Sequence, residues 1–117
     1  MKVSYKNKKI EISAKKVSPF GKISGLMFKS RNTENLLFEF KKNTNLRIHS
    51  FFVFFPFLAV WLNKKNKVIE IKIVRPFSFS IKPKKLFSKL VELPFNNKNM
   101  KNIEFLVGKK DLNTSWY

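Results

Sequence analysis

The central stretch Ile48-His49-Ser50-Phe51-Phe52-Val53-Phe54-Phe55-Pro56-Phe57-Leu58-Ala59-Val60-Trp61-Leu62 limits what this chain can become. It is the most apolar segment, and strongly charged segments lie on both sides. Its apolar part, Phe51 to Leu62, is 12 residues long. A membrane-spanning helix needs roughly 20, and Pro56 would break a helix here. The stretch therefore reads as the buried middle of a small, mainly β domain.

Taken in order, residues 2–14 read as extended. Val3 and Tyr5 alternate with polar neighbours, and Ile10, Ile12 and Ala14 resume the period of two after the turn-like Lys6-Asn7-Lys8. Ser18-Pro19 has the form of a helix start, with Phe20, Ile23 and Met27 on one face. Ser30 to Asn35 is a polar loop, Leu36 to Phe40 a short strand and Lys41 to Asn45 another turn. The central stretch predicts two strands, about 46–54 and 58–63, broken near Pro56. Asn63 to Lys67 is a hairpin tip, and Val68 to Val74 the returning strand, ended by Arg75-Pro76. Ser78 to Lys85 is an irregular basic loop, followed by a strand from Leu86 to Leu93 closed by Pro94. Asn96 to Ile103 reads as a short helix, and Phe105 to Gly108 as a final strand or turn. The expectation is one domain over residues 1–117, mainly β (α+β): a small curled or barrel-like, mixed or antiparallel sheet with one or two short helices.

The absence of cysteine removes disulfides, thiolate metal sites and cysteine nucleophiles. One histidine, one aspartate and six scattered glutamates make a metal site an unpromising expectation, and no cofactor is expected. The start Met1 to Lys9 is charged but has no apolar run behind it, so a secretory signal is not expected and cytoplasmic residence is the default.

The net charge of +18 is the dominant compositional fact. Such a balance attracts polyanions: nucleic acid, ribosomes and anionic membrane surfaces. Two observations weaken that inference. The cations are 22 Lys and only 3 Arg, whereas base and phosphate readers lean on the bidentate Arg fork. Lys, Asn, Phe and Ile also make up 57 of the 117 residues, and all four are written with A/T-rich codons. A solvated, composition-driven surface is therefore the competing reading. The lysines concentrate at expected loop tips, and spacing does not show whether these share a face.

Five pieces of the chain, in order, resemble the uncharacterised bacterial and archaeal family known as DUF192. Gly25-Leu26-Met27-Phe28-Lys29 resembles its "GLMFR" signature, and Leu36-Leu37-Phe38-Glu39-Phe40 its "MLFVF". Ile48 to Leu62 resembles its archaeal-type "IHTFFMRFPIDVVFL". Arg75-Pro76-Phe77 and Leu90-Val91-Glu92-Leu93-Pro94 resemble "RPW" and "VLELP". The match covers about residues 10–108. The resemblance implies a compact β-rich domain with a helix or two packed on it, and no established enzymatic activity. The family's Arg and Asp in "MRFPID" fall on Phe54 and Leu58. Loss of both partners of an ion pair can be neutral, so this expectation is of a space refilled with hydrocarbon.

Few constellations carry chemistry. His49-Ser50 is the nearest approach to a catalytic pair, but strand neighbours point to opposite faces, and Asp111 is the single aspartate. A histidine satisfied by backbone groups is expected. Glu39, Glu70 and Glu92 are expected as salt-bridged surface glutamates rather than an acid–base pair. No P-loop or G-x-G-x-x-G is present. The Phe run from 51 to 57 is expected in the core rather than as a stacking platform.

The leading functional expectation is a non-catalytic module that contacts RNA or a ribonucleoprotein through a lysine-rich surface, without strong base readout. Its candidate residues are Arg75, Lys82, Lys84, Lys85, Lys109 and Lys110, with Phe77, Phe79 and the tail Trp116-Tyr117 as accompanying aromatics. The alternative is a small-ligand or protein-partner domain with a pocket at the sheet mouth near His49, Pro56, Arg75 and Glu92. An enzyme ranks last.

Overall fold

The computed structural model describes residues 1–18, 25–78 and 80–108. Strands β1 (Lys2–Tyr5) and β2 (Lys8–Glu11) form an antiparallel hairpin. Lys6 and Asn7 turn it with φ of 49° and 63°, the two left-handed residues that a two-residue loop needs to follow strand twist. Strands β3 (Lys15–Val17), β4 (Leu36–Thr44), β5 (Phe57–Leu62), β6 (Val68–Val74) and β7 (Phe87–Pro94) build the main sheet, in the order β3-β4-β7-β5-β6. It is mixed: β3 runs parallel to β4, and every other neighbouring pair is antiparallel. Neither sheet closes into a barrel, so the domain is an open α+β arrangement.

Both faces of this sheet are covered, which explains the unbroken apolar run in β5. Along β5, Phe57, Ala59 and Trp61 enter one core cluster, and Leu58, Val60 and Leu62 enter another. All six side chains are sealed from solvent. The first cluster is closed by Leu26 and by Ile48, Val53 and Phe55 from the segment before β5. The second is closed by Val3 and Ile12 from the hairpin and by Ile103 and Leu106 of helix α1 (Met100–Val107). Each buried large side chain contributes about 1.5–3 kcal/mol. The helix ends at Gly108, whose φ of 92° is open to glycine and whose amide donates to the carbonyl of Glu104 at 2.8 Å.

Several expected boundaries move. The turn expected at 41–45 is instead the end of β4, held by pairing of Thr44 with Phe87 beyond a register irregularity. No strand forms over 46–54; a bridge between Ile48 and Ile81 is the extended pairing there, and Val53 folds back on the carbonyl of Ser50. Helix α1 begins later than expected and absorbs the segment expected as a final strand, because Ile103 and Leu106 sit one turn apart over the second cluster. Of the helix expected after Ser18, residues 19–24 lie outside the described residues, and 25–28 form a turn. The hairpin tip at 63–67 forms as expected: Asn63 Oδ1 accepts from the amides of Lys65 and Lys67 at 2.9 and 3.0 Å.

Candidate functional site

Three turns converge at one edge of the first core cluster: residues 25–28, 50–55 and 75–78. Ser50 ties two of them together from a buried position. Its hydroxyl donates to the carbonyl of Arg75 at 2.7 Å and accepts from the amide of Ser78 at 2.6 Å, while its carbonyl accepts from the amide of Phe77 at 2.9 Å. The third turn joins through the amide of Phe28, which donates to the carbonyl of Phe52 at 2.9 Å.

These bonds hold four phenylalanines on the surface. Phe28, Phe52, Phe54 and Phe77 are 69%, 47%, 61% and 44% exposed. Phe28 stacks on Phe52 with centroids 4.9 Å apart, and Phe77 meets Phe52 and Phe54 edge-on at 6.0 and 5.4 Å. Phe28, Phe52 and Phe77 have φ of 61°, 58° and 60°. A bulky residue in that left-handed region is disfavoured by about 1–2 kcal/mol. The Phe run is thus split rather than wholly core: Val53, Phe55 and Phe57 are buried, and Phe52 and Phe54 face solvent. Phe54 also corrects the expectation of a hydrocarbon-filled ion-pair site, since Leu58 is sealed in the second cluster while Phe54 is exposed.

Of the cationic candidates, Arg75, Lys82, Lys84 and Lys85 are exposed. Lys109 and Lys110, with Trp116 and Tyr117, lie outside the described residues, as does Phe79. The 80–85 loop is pinned along strand β6: Lys84 donates its amide to Glu70 Oε1 at 2.9 Å, and Lys72 Nζ donates to the carbonyl of Lys82 at 2.9 Å. Arg47 reaches the same loop through Ser80 Oγ at 3.0 Å. Arg47 and Lys72 thus extend the basic edge, although their separation in sequence gave no sign of it.

The four pocket candidates lie apart from three clefts on the described surface. Clefts of about 560, 440 and 310 Å³ open on the described surface, and none is lined by His49, Pro56, Arg75 or Glu92. His49 is half-buried, and its Nδ1 accepts from the amide of Phe51 at 3.3 Å, the backbone satisfaction expected of it. Pro56 offers its carbonyl to the amide of Phe95 at 3.0 Å. The cleft of about 560 Å³ lies elsewhere, where Asn35, Asn96, Asn99 and Asn102 meet Lys15 and Glu34.

Glu92 departs furthest from expectation. It is fully buried in the middle strand, flanked in register by Leu36 and Ala59, and neither carboxyl oxygen has a hydrogen-bond partner. Burial alone pushes its pKa up to about 8, so it is largely protonated at neutral pH. Glu39 and Glu70 behave as expected, lying 3.8 Å from Lys16 and 3.6 Å from Lys72. The register sets Glu39 opposite Lys89, Glu70 opposite Trp61 and Glu92 opposite Ala59, so the three carboxylates do not pair.

Among the described residues no three of His, Cys, Asp and Glu gather as a cation site, and no helix is long and apolar enough to cross a membrane. No family model, curated protein or solved structure matches the chain.

Proposed function

We propose that this chain is a small, non-catalytic binding module that contacts RNA or a ribonucleoprotein through its lysine-rich surface. The observation that carries this reading is the state of the acids. Among the described residues Glu92 is sealed in the sheet, Glu11 binds the N-terminal ammonium, Glu39 and Glu70 already face lysines, and Glu34 and Glu104 alone remain to offset the other cations. Among the described lysines, Lys16 and Lys72 alone lie within ion-pair distance of a carboxylate. Most of the other described lysines are exposed and stand beyond ion-pair distance of a carboxylate, and a phosphate backbone offers the charge that would neutralise them. The basic edge formed by Arg47, Lys72, Arg75, Lys82, Lys84 and Lys85 is the place where contact would start. Cytoplasmic residence and membership of the DUF192 type belong to the same proposal, the latter on its ordered motifs.

Binding of this kind weakens steeply with salt, losing about 10³-fold or more between 50 and 200 mM if six or more phosphates are contacted. Titration of the nuclease-treated protein with RNA across that range tests it. Binding that survived high salt unchanged would sink the electrostatic reading.

The second reading is a small-ligand domain. The cleft of about 560 Å³ at the start of helix α1 favours it, with a polar ligand hydrogen-bonding to its amide side chains. The side-chain amide nitrogens of its asparagines already donate within the chain: Asn35 to Ser13, Asn96 to Arg31, Asn99 to Asn35 and Pro94, and Asn102 to Glu11. The polyanion reading therefore leads.

A further inference from the structure

The phenylalanine cluster combines two unfavourable features that a purely structural surface would not keep together. Phe28, Phe52 and Phe77 hold left-handed backbone conformations, and Asn or Gly would occupy these positions at lower cost. The side chains so placed are not buried in return; with Phe54 they remain 44–69% exposed. Backbone strain gathered at one spot, together with a contiguous apolar patch, marks a surface kept for binding.

Three observations identify the occupant. The exposed members are all aromatic, so the cluster offers π-faces. The rings touch one another at centroid distances of 4.9–6.0 Å and each stays 44–69% exposed, so they form one contiguous aromatic surface. Cationic side chains adjoin the platform in the chain: Lys29 follows Phe28, and Arg75 lies two residues before Phe77, both exposed. Rings that accept stacked bases beside cations that accept phosphates are the parts of a single-strand binding site.

We propose that Phe28, Phe52, Phe54 and Phe77 form a stacking platform for unpaired bases of a single-stranded nucleic acid, with Lys29 and Arg75 taking adjacent phosphates. This rests on the polyanion reading and sharpens it: lysines supply attraction to any nucleic acid, and the rings supply preference for an unpaired strand. Recognition by stacking is tolerant of sequence, because every base has a π-face.

The test compares the wild-type chain, a Phe28→Ala/Phe54→Ala variant and a Lys82→Gln/Lys84→Gln/Lys85→Gln variant, each checked for fold by circular dichroism. Probes are a fluorescent single-stranded RNA of roughly 12 nucleotides, the same RNA as a duplex, and vesicles of equal parts phosphatidylcholine and phosphatidylserine. Fluorescence anisotropy and vesicle co-sedimentation report binding. The expected result is a single-strand preference in the wild type that falls about tenfold or more in the Phe variant, with duplex binding unchanged. The Lys variant should lose affinity for both forms alike. If the wild type binds strand and duplex equally and the Phe variant matches it, the platform is overturned while the polyanion reading stands. If neither nucleic acid binds, both fall. If the Phe variant loses vesicle binding and keeps RNA binding, the rings serve a lipid surface and the proposal is wrong. Should the Phe variant unfold, Phe28→Asn alone, at a residue 69% exposed, carries the same comparison.

Discussion

The amide of Phe28 donates to the carbonyl of Phe52 at 2.9 Å, and the rings of the same two residues stack at 4.9 Å. Residues far apart in the chain are thus joined through backbone and side chain at once, and both have left-handed φ. The hydrogen bond fixes the turns, and the turns fix the rings.

This arrangement predicts a trade between stability and binding. Phe28→Asn places a residue that tolerates the left-handed region at φ 61° and removes a ring that is 69% exposed. The variant should unfold at higher temperature, by about 0.5–1 kcal/mol of added stability, while single-strand affinity falls. A lower melting temperature would show that ring contacts outweigh the backbone cost.

Glu92 predicts an unusual pH dependence. In the folded chain its pKa is about 8, against an ordinary value of 4.5. Between those values the unfolded chain has released a proton that the folded chain keeps, so stability falls as pH rises. The contribution is fully present below pH 4.5 and is lost through pH 8, on the order of a few kcal/mol in all. No titratable group faces Glu92 in register, since its partners are Leu36 and Ala59. Urea melts at pH 5, 6.5 and 8 should show the decline in the wild type and a flatter profile in Glu92→Leu. Parallel profiles would contradict the burial account.

Gly25 predicts a packing limit. A Cβ there would stand 2.5 Å from Cδ1 of Leu36 and 3.2 Å from Cζ of Phe38. Both neighbours are core residues of the first cluster, so Gly25→Ala should cost about 1–3 kcal/mol in a thermal or urea melt. A variant as stable as wild type would mean that Leu36 can move aside.

The cationic surface predicts salt-dependent stability. With a net charge of +18, self-repulsion extends over about 30 Å at 0.01 M salt and about 10 Å at 0.1 M. The melting temperature should rise between those salts. A constant value would mean that repulsion is negligible in the folded chain.

The sequence revealed elements whose apolar pattern is unambiguous. Strand β5 was legible as an unbroken run because both its faces are covered, and the β6 hairpin because Asn63 to Lys67 carries turn chemistry. The exposed rings were illegible for the same reason that β5 was clear: in a run made of Phe and Val, no polar residue marks which side faces out. Glu92 misled in the opposite sense. A charge between Val91 and Leu93 reads as an outward position, whereas in the middle strand of a sheet covered on both faces there is no outward side. The end of β4 was hidden because Lys41, Lys42 and Asn43 resemble a turn, while pairing of Thr44 with Phe87 keeps them extended.

The measurement that bears most directly on the account is binding of the nuclease-treated protein to single- and double-stranded RNA from 50 to 200 mM salt. The account predicts a loss of about 10³-fold or more over that range for either form, with the single strand bound more tightly throughout. Weak binding that vanishes by about 100 mM and ignores the form of the polymer would contradict it, and would leave the charge as a matter of composition alone.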